Sequence, residues 1–90
     1  MPETIRLIVE GKVQGVFYRQ STKEKAITLG VTGTVKNMRD GNVEIIATGT
    51  PEQLKRLTEW CNQGPRGAVV TKVSSTPLPL QPFQNFIIIR

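Results

Sequence analysis

Gly11-Lys12-Val13-Gln14-Gly15-Val16-Phe17-Tyr18-Arg19 joins an alternating apolar run to a segment of helical character, and that junction sets how the rest of the chain must be arranged. Upstream, Thr4 to Glu10 carries Ile5, Leu7 and Val9 at period two, which predicts a strand with one buried face. Downstream, Gln20-Ser21-Thr22-Lys23-Glu24-Lys25-Ala26-Ile27 opens a helix in which Thr22, Ala26 and Leu29 recur at helical spacing, with Gly30 placed to end it. A strand, a glycine-containing turn and a helix start are the ingredients of an anion site. The first amides of a helix have no internal acceptor, and the helix dipole adds partial positive charge there. Gly15 lets backbone approach a ligand closely, and Arg19 adds a permanent cation whose planar fork matches phosphate oxygens. The same residues also suit a plain turn bearing a surface arginine, and this stretch alone does not choose.

Beyond the first helix, Val31 to Asn37 is β-branched and alternating, Met38-Arg39-Asp40-Gly41-Asn42 carries the Asp-Gly hairpin signal, and Val43 to Thr48 sets Val43, Ile45 and Ala47 on one face. Thr50-Pro51-Glu52-Gln53 predicts a second helix with Thr50 as N-cap, Pro51 first and Gln53 in the reciprocal capping place. Leu54, Leu57 and Cys61 form its apolar stripe with Trp60 beside it, and Gly64-Pro65 stops it near Asn62. Ala68 to Val73 reads as a strand, Ser74 to Pro82 as a proline-rich connector, and Phe83 to Arg90 as a closing strand. The expected fold class is α+β: a ferredoxin-like split β-α-β (βαββαβ) sandwich, one antiparallel sheet with both helices on one face, plus an extra C-terminal strand. The other sheet face is expected to be open to water.

Ninety residues allow a single domain spanning 1–90. One cysteine rules out an internal disulfide framework, and the lack of any histidine excludes a Cys/His zinc site, a Ser–His pair and a histidine general base. No signal pattern and no membrane-length apolar run appears, so a cytoplasmic location is expected. The net charge of +5 favours an anionic partner, but the cations are dispersed and do not decide between nucleic acid and small phosphate.

Asn37 ends the second strand, and the first helix has by then reversed the chain once, so Asn37 is expected to face the Gly11–Arg19 loop. Its amide can hold a water, offering an acceptor and donors. It suits the capping of a hairpin as well. Cys61 followed by Arg66 suggests a cysteine–arginine phosphate loop. The spacing is one residue short and Gly64-Pro65 interrupts it, so a buried helix cysteine is the expectation.

The Gly11–Arg19 stretch resembles the signature loop of the acylphosphatases. Gly33-Thr34-Val35-Lys36-Asn37-Met38-Arg39-Asp40-Gly41-Asn42-Val43-Glu44 resembles their second signature, and Trp60 to Pro65 followed by Ala68 resembles the stretch that ends their second helix. The chain departs at Thr34, where the family often has an aromatic residue, and at Met38, where it often has a small one. The resemblance implies hydrolysis of the carboxyl–phosphate bond of acyl phosphates. It implies that Arg19 and the amides of Gln14, Gly15, Val16, Phe17, Tyr18 and Arg19 hold the phosphoryl group while Asn37 positions the attacking water. The partner it implies is a small-molecule acyl phosphate, with inorganic phosphate or sulfate as ligand; separately, nothing in the sequence demands more than a monomer, and neither nucleic acid nor membrane is expected as partner. No cofactor is implied, and no metal, as no carboxylate cluster lies near the loop. An RNA-binding module shares the sheet layout, but Thr4–Glu10 and Val43–Thr48 lack the aromatics that stack bases. An interaction domain that has lost the activity is the third reading, and Arg19 and Asn37 argue against it.

Overall fold

The alternation of Ile5, Leu7 and Val9 forms the inner face of β1 (Glu3–Lys12) in the computed structural model of the chain, which describes residues 1–90. It is followed by α1 (Tyr18–Leu29), β2 (Thr32–Asn37), β3 (Val43–Gly49), α2 (Pro51–Gln63), β4 (Val69–Leu78) and β5 (Phe86–Ile89). The strands form one five-stranded sheet in the order β4-β1-β3-β2-β5. Leu7, Val9, Val35, Val43, Ile45 and Ala47 are buried on one sheet face, against Ala26 of α1 and Leu54, Leu57 and Cys61 of α2. This is the expected ferredoxin-like α+β architecture with both helices on one side.

Local chemistry explains the boundaries. Thr50 Oγ1 accepts from the Gln53 amide at 3.2 Å, and Gln53 Oε1 accepts from the Thr50 amide at 2.8 Å, closing the capping box ahead of Pro51. Such a cap contributes about 1 kcal/mol. In the β2–β3 turn the Met38 amide donates to the Asn42 carbonyl at 2.8 Å, and Asp40 Oδ1 accepts from the Asn42 amide at 3.0 Å. The turn is therefore tied by Asp40 and needs nothing from Asn37.

Three expectations are corrected. β1 to β4 pair antiparallel, but β5 lies parallel to β2, so the sheet is mixed rather than wholly antiparallel. β5 begins at Phe86 instead of Phe83 and ends at Ile89. Ser74 to Leu78, read as connector, is the second half of β4, with Pro77 opposite Ile5. β4 is an edge strand with a partner on one side only, and proline is tolerated where no second ladder is needed.

The true connector, Pro79 to Asn85, carries the chain from one sheet edge to the other. It is pinned where Thr4 and Thr48 pair across β1 and β3 on the face away from the helices. Their hydroxyl oxygens lie 2.6 Å apart, the Gln81 amide donates to Thr4 Oγ1 at 2.9 Å, and Thr48 Oγ1 donates to the Gln81 carbonyl at 2.6 Å. That face is therefore covered at one end. Elsewhere β1 and β3 present Arg6, Ile8, Glu44 and Ile46 there, with Arg6 Nε 2.7 Å from Glu44 Oε2.

Tyr18 is buried, and its hydroxyl donates to the Cys61 carbonyl at 2.7 Å while its ring tilts against Trp60 at 5.6 Å between centroids. This fastens the start of α1 to the end of α2. Burial pushes the Cys61 thiol up to about 12 and raises the Tyr18 phenol further above its ordinary range. The unfolded chain releases the thiol proton above about pH 8.5 and the phenol proton above about pH 10, while the native state keeps both. The unfolded state then binds fewer protons, so stability falls as pH rises, by up to about 1.4 kcal/mol per pH unit for each group. Urea unfolding followed from pH 7 to 10 is expected to show this loss, and Cys61→Ala to flatten its lower part; an unchanged slope in that variant would contradict the assignment.

Candidate active site

Register brings the two ends of the site together. Val9 of β1 and Asn37 of β2 both pair with Val43 on the strand between them, so β1 delivers its outgoing loop at the level where β2 ends. On the outer side Ile89 pairs with Lys36, which brings the C-terminal residues to that level too. A register shift between Glu10 and Gly11 bends the end of β1, which stays paired with β4 through Lys12. Gly11 is required there: at φ +128, a Cβ would stand 2.1 Å from the Val69 carbonyl oxygen. Gly15 has open space around it but adopts φ +76, so it is selected by backbone conformation rather than by room.

Phe17 then takes the left-handed conformation, φ 61 and ψ 26, as N-cap of α1, the one non-glycine residue with positive φ. For an L-residue this costs about 1–2 kcal/mol. The cap supplies no side-chain acceptor and the first turn holds no acidic residue, unlike the capped start of α2 with its Glu52. The amides of Gln14 to Gln20 donate to no backbone or side-chain acceptor, the ladder of α1 beginning with the Ser21 amide on the Phe17 carbonyl. A short run of free amides at a helix start is a cradle for an anion.

The loop opens on a cleft of about 450 Å³. Gly15, Phe17, Tyr18 and Arg19 line it from the loop and helix, and Asn37 lines it from β2. Ile88 and Arg90 add a wall beyond β2. Arg19 and Asn37, inferred separately from sequence, thus meet in one cavity. Asn37 Oδ1 is buried and accepts no hydrogen bond. The hairpin-capping alternative leaves it no bond there, and a buried polar atom without a partner calls for a ligand or a water.

Gln14 and Val16 do not line the cleft. The side chain of Gln14 instead donates from Nε2 to the carbonyls of Met38 at 2.8 Å and Asn42 at 2.9 Å, tying the loop to the β2–β3 turn that follows Asn37. Sequence reasoning assigned Gln14 only for its amide; a lone polar side chain among glycines and valines was the available signal. Ile88 and Arg90 were not anticipated, because their approach depends on the parallel docking of β5. The departures at Thr34 and Met38 put neither side chain among those that line the cleft. Thr34 alternates with the inward-facing Gly33 and Val35 and so lies on the opposite face, and Met38 serves the site through its carbonyl. Cys61 is fully buried under α2 and Arg66 is exposed, so the two form no phosphate loop.

Fold and cleft together define a class: a ferredoxin-like α+β domain with an anion cradle at the turn from its first strand to its first helix. The acylphosphatase family model matches residues 5–88, and the chain belongs to that family. It is 57% identical over 81 residues to an acylphosphatase of Marinobacter nauticus, covering 89% of this chain and 88% of that protein. Among solved structures, an acylphosphatase from Coxiella burnetii superposes with a TM-score of 0.95 at 39% identity, covering 98% of this chain and 93% of that one. The acylphosphatase of Bacillus subtilis superposes with a TM-score of 0.95 at 35% identity, covering both chains in full. The hydrolase reading made from sequence is borne out at the level of the family.

Proposed function

We propose that this protein hydrolyses acyl phosphates to a carboxylate and inorganic phosphate, with Arg19 and the amides of the Gly11–Arg19 loop holding the phosphoryl group and Asn37 positioning the attacking water. The observation that carries this reading is the partnerless carboxamide oxygen of Asn37 in the same cleft as Arg19 and the free amides. The guanidinium fork and the amides neutralise the phosphoryl oxygens. A water donating to Asn37 Oδ1 turns its lone pair toward phosphorus. The water oxygen–phosphorus bond forms as the phosphorus–acyl oxygen bond breaks, and the carboxylate leaves with the electron pair. Its conjugate acid has a pKa of about 4–5, so it departs unprotonated, and the water's proton passes to a phosphate oxygen. A chain without histidine can run this reaction because it needs position and charge, with no proton donor. The side chains lining the cleft include no carboxylate that would hold a magnesium ion.

We take the reaction to run in a cytoplasmic monomer: one chain supplies every residue invoked, and the single cysteine is a free thiol, as suits a reducing compartment. Inorganic phosphate, the product, is the expected competitive ligand. The test compares benzoyl phosphate with p-nitrophenyl phosphate, whose leaving group is poorer. A site lacking a general acid is expected to favour the acyl phosphate by about 100-fold or more, and equal turnover of the two would overturn the reading.

A further inference from the structure

Four apolar side chains reach the cleft, and they are not equivalent. Val13 and Tyr18 are buried in the core, and Ile88 stands on β5, beside the strand that carries Asn37. Phe17 alone projects from the loop, 83% exposed. Its ring adds almost nothing to the core, and its backbone pays for a left-handed conformation that glycine or asparagine would adopt with less strain. An exposed aromatic held at a conformational cost, on the rim of the cavity, has a use other than folding. Chemistry gives the use. In an in-line displacement the leaving carboxylate departs on the side opposite the water. Asn37 lines the cleft from β2 and Phe17 lines it from the loop, so an acyl group departing away from a water on Asn37 would meet the rim that Phe17 forms.

We infer that Phe17 receives the organic part of the substrate and sets a preference for acyl phosphates with an aromatic or otherwise apolar acyl group. This rests on the acyl phosphate hydrolysis proposed above. Two apolar faces that meet on binding lose water, and an aromatic pair adds its own attraction.

The experiment measures kcat/KM for benzoyl phosphate and for acetyl phosphate, and takes their ratio. The ratio cancels any loss common to both substrates, such as a disturbed amide cradle. Phe17→Gly suits the backbone and is expected to lower the benzoyl-to-acetyl ratio about ten-fold; Phe17→Tyr is expected to keep it near the parent value. An unchanged ratio in Phe17→Gly would overturn the inference. So would a parent enzyme that prefers succinyl phosphate and loses that preference in Arg90→Gln, which would give the acyl side to the cation on β5's end. A parent inert to all three substrates would instead refute the hydrolysis itself, so the two failures are distinguishable.

Discussion

Arg19→Ala is expected to lower kcat/KM for an acyl phosphate by about 10³-fold or more and to abolish the binding of inorganic phosphate. The guanidinium is the only side-chain cation that the loop and first helical turn bring to the cleft, and it acts on ground state and transition state alike. Both binding and turnover should therefore fail together. Arg19→Lys restores charge without the planar fork and is expected to recover only a small part. Arg19 is partly buried on the first turn of α1 but makes no ion pair, so unfolding midpoints should stay close to the parent's. Phosphate titration by calorimetry decides the matter: a variant that keeps phosphate affinity within a few-fold would mean that the amides alone hold the anion.

Asn37→Ala is expected to separate what Arg19→Ala joins. Its kcat should drop by about 10²–10³-fold while phosphate still inhibits within a few-fold of the parent, because the carboxamide serves the water and not the phosphoryl group. Stability supplies an independent readout. Asn37 Oδ1 accepts no hydrogen bond from any protein group, so no contact within the fold depends on it. Removing it is expected to leave the melting temperature unchanged. A variant with lowered stability and lost phosphate binding would point to a structural asparagine.

What was legible in the sequence was whatever is decided by neighbours along the chain. The inner faces of β1 and β3 follow from Leu7 and Val9 and from Val43 and Ile45, and α2 begins where Thr50, Pro51 and Gln53 place it. Ser74 to Leu78 was misread because Pro77 is disfavoured inside a sheet and acceptable on its edge, and edge position is a property of the finished order of strands. The direction of β5 was hidden for the same reason: it depends on a connector that Thr4 and Thr48 clamp from across the sheet. At the site, Arg19 was visible from its place after a glycine turn. The tether from Gln14 to the Met38 and Asn42 carbonyls and the wall from Ile88 and Arg90 arise from contacts distant in sequence, and the left-handed turn at Phe17 has no signal in its residue type.

The shared pairing of Val9 and Asn37 with Val43 has a consequence for a chain still being synthesised. Arg19 and Asn37 have both been added to the chain by position 37, yet the strand that aligns them has not. A nascent fragment ending before Val43 owns the whole reactive complement and no means of juxtaposing it. The cleft therefore cannot assemble before the central strand has been made, although both side chains precede it in the chain.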